Sequence, residues 1–387
     1  MTYTQPAAVP RAAKTHPRVP PARPSKGLII GLAVSGLCAL ATLGFILMSS
    51  GGDGFGLSVA LGLAPLPILL AAVLVLDRLE PEPRLTLFFA FVWGAGIAVV
   101  VSIGLELAGE AAVAAAGMGP QDARTATMVA VAPMVEEAAK GAALLWLLWR
   151  CRHEIDGPTD GIVYASMVAL GFAAVENVLY YSAAFNVAGT AATVATFVMR
   201  GVLTPLLHPL ATSMIGLGVA YAVTTRGRGR FLAVPLGYAG AVVLHGMWNG
   251  AAALNSPAAL GGVYLLGMVV TGGLVTVTVW ERQRLVTRIG RDLRVYVPTG
   301  LITAEDIGML GSLRTRRRAR RWARRVGMGD AMSDYQQAAT ELAILYQRAE
   351  REDREPADFA DERHALLAVM ARSRASLVPH VLSQPRP

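Results

Sequence analysis

The sequence places ionisable side chains inside long apolar segments, where they cost energy and therefore indicate function. A charged residue at the centre of a membrane helix costs about 2.5–3.5 kcal/mol on insertion scales, and such residues tend to line functional cavities. The segment VAPMVEEAAKG carries Glu136, Glu137 and Lys140. Glu136 and Lys140 share a helix face and can pair, whereas Glu137 points about 100° away and can face a cavity. The alternative, a structural ion pair between helices, does not need the second glutamate.

Three further apolar segments contribute a carboxylate, two imidazoles and an amide. Glu176 has no cation within one helical turn, so its partner comes from another helix or a metal, unless it is protonated and bonded to a neighbour such as Tyr180. His208 begins the next segment, where a lone histidine is either a hydrogen-bonded core residue or a ligand. His245 and Asn249 are spaced i, i+4 and face the same way, which suits a catalytic histidine beside an amide donor.

The depths of these side chains agree with one another. With a rise of about 1.5 Å per residue and the orientation argued below, the acids and imidazoles lie roughly 6–12 Å inside the outer membrane boundary. Two of the four segments run inward and two outward, so such agreement is not expected of unrelated polar residues. We therefore predict one shared site, built from Glu136, Glu137, Glu176, His208, His245 and Asn249.

The residue types at this predicted site favour hydrolysis. Carboxylates and imidazoles can hold Zn²⁺ through three protein ligands and leave a position for water. The metal would lower the pKa of that water toward about 7 and polarise a carbonyl group. A further glutamate would be the general base, and Asn249 would donate to the developing oxyanion. A site at this depth implies a substrate that reaches it within the bilayer, such as a transmembrane segment.

The elements that carry these residues are predicted to be membrane-spanning helices. Apolar residues make up 54% of the 387 residues and charged residues 16%, against about 45–50% and 25% in soluble domains. The apolar runs are about 20 residues long, enough to cross a hydrocarbon core of about 30 Å, and each span must satisfy its own backbone. The predicted fold is an all-α polytopic bundle of about eight spans, at 28–48, 57–76, 85–107, 128–149, 160–182, 204–224, 231–252 and 258–280.

Basic residues in the short loops predict the orientation, because lysine and arginine collect on the cytoplasmic side. One side carries only Arg124 and Arg200. The other side carries the N-terminal tail and Arg78, Arg84, Arg150, Arg152, Arg226, Arg228 and Arg230. Both termini are then cytoplasmic, which requires an even number of spans. The stretch 185–224 is too long for one crossing, and we expect its first part to be external or partly embedded.

Two segments outside the spans differ from them in composition. Residues 1–26 contain six prolines, five basic residues and no acidic residue, which predicts a disordered basic tail. Residues 27–280 form the predicted membrane domain. Residues 281–387 are predicted to be a cytoplasmic tail, with helical periodicity at about 332–351 and 360–375.

The C-terminal tail also carries an arginine-rich run. Arg314–Arg325 holds eight arginines in twelve positions. It is either a solvated juxtamembrane run or, as we expect, a contact with anionic lipid headgroups. No nucleic acid partner is expected, because the arginines flank membrane spans. Cys38 and Cys151 do not suggest a disulfide framework or a metal cluster.

Motifs in these segments resemble those of the PrsW family of intramembrane proteases, which is related to the CAAX-prenyl and bacteriocin-processing membrane proteases. The resemblance covers about 60–280, beginning near Asp77-Arg-Leu-Glu-Pro-Glu-Pro83. In the broader superfamily the second motif is Phe-x-x-x-His. Here the position of that histidine, four residues after Phe172, is Glu176, which agrees with the PrsW pattern. The motifs are Glu136-Glu137-x-x-Lys140, Asp160-Gly-Ile-Val-Tyr164 leading to Gly171-Phe172-x-x-x-Glu176-Asn177, His208-Pro-x-Ala-Thr212 and His245-x-x-x-Asn249.

The resemblance implies an endopeptidase of the cell membrane. In the best-known case such an enzyme makes the first cut in a membrane-anchored anti-sigma factor on the outer side, in regulated intramembrane proteolysis. We predict Zn²⁺ as cofactor, held by Glu176, His208 and His245, with Glu136 or Glu137 as base.

Three alternatives remain open. The related prenyl proteases use a glutamate-activated water without a firm metal, so Glu136 or Glu137 with His208 can activate water while His245 and Asn249 form the oxyanion site. A proton-coupled transporter also uses buried glutamate and histidine, but the sequence has no clear inverted repeat of interrupted helices. The full set of candidate residues argues against a non-catalytic scaffold.

Overall fold

The computed structural model describes residues 25–151, 154–352 and 359–382, of which 88% are helical and none form a strand. The predicted disordered tail lies outside them, apart from its last two residues. Three π-helical segments interrupt the helices at Gly94–Ala98, Thr127–Val131 and Val198–Leu203. The α-helices are α1 (Lys26–Leu63), α2 (Leu66–Leu76), α3 (Arg84–Trp93), α4 (Val99–Ala115), α5 (Pro120–Ala126), α6 (Ala132–Arg150), α7 (Pro158–Phe197), α8 (Leu207–Thr224), α9 (Arg230–Ala253), α10 (Pro257–Asp292), α11 (Ala304–Leu310), α12 (Leu313–Arg325), α13 (Gly329–Glu352) and α14 (Phe359–Leu382).

The prediction of an all-helical, multi-pass architecture is confirmed. Among the described residues, five helical stretches are long and apolar enough to cross a membrane. They are Lys26–Leu76, Arg84–Ala115, Pro158–Thr224, Arg230–Ala253 and Pro257–Tyr296. Two of these stretches contain a break in helical geometry, at Gly51 and at Gly189, each with φ of 68°. The count of eight spans and the cytoplasmic position of both termini stay predictions.

α7 is the central helix of the bundle. In the stretch Pro158–Thr224, to which α7 belongs, 94% of the most apolar 18-residue segment is buried inside the protein. It packs against α1, α3 and α8. The peripheral helices α1, α2 and α10 instead expose large apolar side chains such as Leu37, Ile68 and Val269. This pattern fits a bundle whose outer surface meets lipid, since apolar side chains cost nothing there.

Glycines bring the backbone of α7 into contact with its neighbours. A Cβ atom added at Gly171 would lie 1.9 Å from the carbonyl oxygen of Phe91. A Cβ atom at Gly94 would lie 1.9 Å from the carbonyl oxygen of Val168. Small residues at such crossings let membrane helices approach closely. The crossing fixes α7 against α3, and the Trp93 indole N–H donates to the Ala139 carbonyl at 3.1 Å to hold α6 beside them.

A second hydrophobic cluster lies at the C-terminal end of the chain. α10 continues as one helix past the predicted boundary at residue 280 to Asp292, where it joins this cluster. Leu342 of α13 and Met370 of α14 are fully buried within it. The helices expected at about 332–351 and 360–375 are confirmed as α13 and α14.

We expect Gly171→Ala to lower the stability of the bundle by about 1–3 kcal/mol, because the added methyl group overlaps backbone that cannot move independently. Thermal unfolding of the purified chain in detergent, followed by circular dichroism, measures the effect. Gly272→Ala in α10 is the matched control, because nothing lies within 4 Å of the added Cβ. Equal melting temperatures for both variants would contradict the close crossing.

Candidate active site

Three helices contribute side chains to one buried cluster. α6 carries Glu136, Glu137 and Lys140, while α8 carries His208 and α9 carries His245. Every one of these side chains is buried, and those of Glu137 and Lys140 are fully so. α6 begins directly after a π-helical segment and lies against α8 and α9. The charged middle of α6 therefore faces other helices.

The Lys140 ammonium lies at the centre of the cluster. Its Nζ is 3.1 Å from Glu136 Oε2, 2.8 Å from Glu137 Oε1 and 2.9 Å from His208 Nδ1. The predicted pairing of Glu136 with Lys140 is confirmed. Glu137 was expected to point away, but the four-carbon lysine stem reaches the i−3 and the i−4 carboxylate together. One cation thus bridges both acids and one imidazole.

Glu137 is the most constrained carboxylate of the cluster. Its Oε1 accepts from Lys140 and lies 3.0 Å from His245 Nδ1, and its Oε2 accepts from the Thr212 hydroxyl at 2.8 Å. A buried carboxylate is stable only when its lone pairs find such donors. Glu137 therefore orients His245 and Lys140 at once.

His208 connects this cluster to Glu176 on α7. An ammonium group has only donors, so His208 Nδ1 accepts from Lys140 and the ring carries its proton on Nε2. His208 Nε2 then donates to Glu176 Oε2 at 2.9 Å. The ring centroids of His208 and His245 are 5.0 Å apart, nearly perpendicular. Both imidazoles are held by a carboxylate on another helix.

Arg200 is a residue of this site that the sequence did not reveal. It lies in the π-helical segment Val198–Leu203, and its Nη2 donates to Glu176 Oε2 at 2.5 Å. Its Nε donates to Asn177 Oδ1 at 2.8 Å, and its guanidinium stacks over Tyr180. The signal for this pairing was available. Arg200 is the only lysine or arginine in 185–224, and the carboxylate of α7 lacked a cation on its own helix.

The donors of the cluster fit a transition metal chemically. Glu136, Glu137, His208 and His245 each offer a ligand atom, and these atoms all lie within 4.8 Å of one another. Two imidazoles and two carboxylates are ligands that Zn²⁺ takes in catalytic sites. The predicted ligand set differs from this group by Glu176, which contacts His208 instead. The Lys140 ammonium already contacts three of the four residues, so it lies among the atoms that a metal ion would use.

Asn249 lies apart from these contacts. Its Nδ2 donates to the Met128 carbonyl at 2.9 Å. Asn249 and His245 are on the same helix, α9, one turn apart. The predicted role of Asn249 as an oxyanion donor stays a prediction, which requires the amide to leave Met128 or to use its second N–H.

A small cavity of about 20 Å³ lies beside His208, with Asn177, Arg200 and Trp248 in its lining. That volume is enough for about one water molecule. The lining offers the polar partners that a buried water needs. A water molecule in this cavity would lie beside His208.

Comparison with known families gives one match. The family model described as PrsW family intramembrane metalloprotease matches residues 82–275. The matched range contains the whole predicted site and covers half of the chain. Comparisons with curated proteins and with solved structures find no match.

We expect Arg200→Gln to destabilise the protein by about 1.5–3 kcal/mol, because it removes charged hydrogen bonds to a buried acceptor. Chemical denaturation in detergent gives the free energy of unfolding. Adding Glu176→Gln should recover part of the loss, since the two residues interact directly. Arg124→Gln is the matched control, because its pair with Glu110 is exposed and should contribute about 0–1 kcal/mol. Strict additivity of the Arg200 and Glu176 effects would exclude the pairing.

Proposed function

Because the chain belongs to the PrsW family of intramembrane metalloproteases, we propose that it cuts a membrane-anchored protein near the outer leaflet. The chain is an intramembrane protease and an integral, multi-pass membrane protein. We further propose that the substrate is a single-span protein such as an anti-sigma factor. It would be cleaved in the plasma membrane during regulated intramembrane proteolysis. The buried cluster around Lys140 carries this proposal, because it joins acids and imidazoles inside an apolar bundle.

We assign the general base to Glu136. Its Oε2 is 3.1 Å from Lys140, but 3.8 Å from His208 and 3.9 Å from His245. Its other oxygen makes no hydrogen bond to a described residue, whereas both oxygens of Glu137 are occupied. A base needs a lone pair free to take the proton of water. Glu137 then acts as the positioning carboxylate that fixes His245.

His208 and His245 are the residues that would hold Zn²⁺, together with the Glu137 carboxylate. Bound Zn²⁺ supplies a water of lowered pKa and a polarised substrate carbonyl. Glu176 accepts a hydrogen bond from His208 Nε2–H and so keeps Nδ1 directed into the cluster. Arg200 in turn holds Glu176 in place. Carboxylates that orient ligating histidines in this way are common around metal sites.

A metal-free version of the same reaction is supported by one observation. Lys140 already provides a positive charge between Glu136, Glu137 and His208. In this version Glu136 removes the proton of the attacking water and His208 assists. His245 and Asn249 then stabilise the oxyanion, as fixed donors do in other acyl-transfer sites.

The arginine-rich helix α12 carries a separate part of the proposal. We propose that α12 lies near anionic lipid headgroups, because three of its arginines lie beside Val279 and Arg282, where α10 leaves the apolar sequence. Each basic residue near an anionic membrane contributes about 1 kcal/mol to attraction. This contact concerns membrane association and does not involve the peptidase cluster.

We expect Glu136→Gln and Glu137→Gln each to abolish cleavage, since one removes the base and the other releases His245. Comparative proteomics of membrane-protein fragments, in cells with active and substituted enzyme, identifies the substrate and measures the loss. Glu110→Gln is the matched control because, among the residues that the structure describes, Glu110 pairs with the exposed Arg124 and not with the cluster. Normal fragment levels with Glu137→Gln would refute the proposed site.

We expect Lys140→Met to bind Zn²⁺ about tenfold more tightly than the wild type, because a competing cation is removed from among the donors. Titration of chelator-washed protein with Zn²⁺, read by calorimetry, gives the affinity independently of activity. The wild type should retain about one equivalent of zinc. A wild type that remains active without metal, with no gain in affinity in the variant, would establish the metal-free version instead.

A further inference from the structure

A cavity of about 420 Å³ lies between the end of α10 and the helix α12. It is far along the chain from the peptidase cluster and shares no residue with it. Its lining includes Val279, Arg282, Gln283, Arg314, Arg317 and Arg321. Four guanidinium groups thus surround one opening.

The register of α12 explains why three of these arginines converge. Arg314, Arg317 and Arg321 follow i, i+3, i+7 spacing, so they lie on one helix face. Arg316 points the other way, and its Nη2 donates to the Gln336 carbonyl and to the Thr340 hydroxyl, both at 2.8 Å. Arg320 also reaches α13, donating to the Gln336 side chain. Two arginines anchor α12 on α13, and three are left facing the cavity.

The three arginines of α12 that line the cavity lack counter-charges of their own, whereas Arg282 has the carboxylates of Asp77 and Glu281 nearby. Within the part of the chain that the structure describes, Arg314, Arg317 and Arg321 make neither an ion pair nor a hydrogen bond. Arg282 directs Nη2 to the carbonyl groups of Val75 and Leu76, but its Nε is buried without a hydrogen-bond partner. A buried donor left unmatched costs about 1–3 kcal/mol. An anion in the cavity would remove that cost.

Like charge also accumulates along α12, the helix that supplies three of the cavity's arginines. Burial lowers the pKa of Arg320, and the nearby Arg78, Arg324 and Arg317 lower it further. Such crowding is unfavourable unless a mobile anion neutralises it. Guanidinium groups bind phosphate through paired N–H donors, so a phosphate group suits this lining better than a point charge would.

The position of the cavity favours a lipid as the source of the phosphate. Val279 and Trp280, at the end of the apolar part of α10, are exposed, and so is Val75 at the end of α2. Arg282 joins these two helix ends through its bonds to α2. If a lipid headgroup occupied the cavity, its acyl chains would cover these exposed apolar side chains. A free phosphate would leave the same side chains uncovered.

We propose that this cavity binds the phosphate-bearing headgroup of an anionic phospholipid. The site rests on the proposed lipid contact of α12 and is independent of the peptidase assignment. Lipid bound there would connect α2, α10 and α12 and so fix the C-terminal helices against the membrane bundle. By contrast, a general electrostatic attraction of α12 to an anionic membrane surface would depend only on how many arginines the helix carries, and not on which positions they occupy.

Native mass spectrometry of the delipidated full chain in detergent tests the site. The wild type should retain one phosphatidylglycerol about tenfold more tightly than phosphatidylcholine. Arg314→Gln with Arg317→Gln should lose that preference. Arg318→Gln with Arg325→Gln is the matched control, since it removes the same charge from exposed positions of α12 outside the cavity. The control should retain lipid within about twofold of the wild type.

Equal loss of lipid in the two double variants would overturn the discrete site in favour of diffuse attraction. Displacement of the lipid by millimolar inorganic phosphate or glycerol 3-phosphate would overturn the lipid as the occupant. The inactive Glu137→Gln protein should retain phosphatidylglycerol like the wild type. Retention in that variant separates the fate of this proposal from that of the proposed peptidase.

Discussion

A lysine ammonium buried among carboxylates and imidazoles is the interaction on which the membrane bundle depends. Charges removed from water are tolerated only where partners of opposite sign and matching hydrogen bonds compensate them. Lys140 compensates Glu136 and Glu137, which lie on its own helix, and it fixes the tautomer of His208 on α8. Loss of Lys140 would leave two buried carboxylates without the cation that they share. The cluster therefore constrains the positions of α6, α8 and α9 together.

The rest of the fold can be understood as the means of keeping those helices close. Gly94 and Gly171 remove the side chains that would separate α3 from α7. The π-helical segments Thr127–Val131 and Val198–Leu203 widen the helix locally, and they lie beside the glutamate pair and at Arg200. Such segments are frequent at functional sites. The close crossing of α3 and α7 and the π-helical segments together bring side chains from separate helices into the cluster around Lys140.

Residue types and helical spacing were sufficient to predict an all-helical chain and the closeness of Glu136, Glu137, His208 and His245, but not every pairing around them. Glu176 was recognisable as a carboxylate in need of a partner, yet its partner Arg200 lies on a segment whose path the sequence left open. The Asn249 amide bonds to the Met128 carbonyl, a backbone group with no sequence signal. Periodicity reports which residues share a face of one helix. Distances between helices depend on packing, and those distances decide that Lys140 contacts His208.

The charge of the cluster gives a reason to expect competition between cations. With both glutamates ionised, Glu136 and Glu137 carry two negative charges, and Lys140 supplies only one positive charge. Glu176 does not help, since Arg200 already balances it. A dication would neutralise the two acids more completely, but it would need donor atoms that now contact the ammonium. A metal ion at this site and the Lys140 ammonium would therefore compete for the same donor atoms of Glu136, Glu137 and His208.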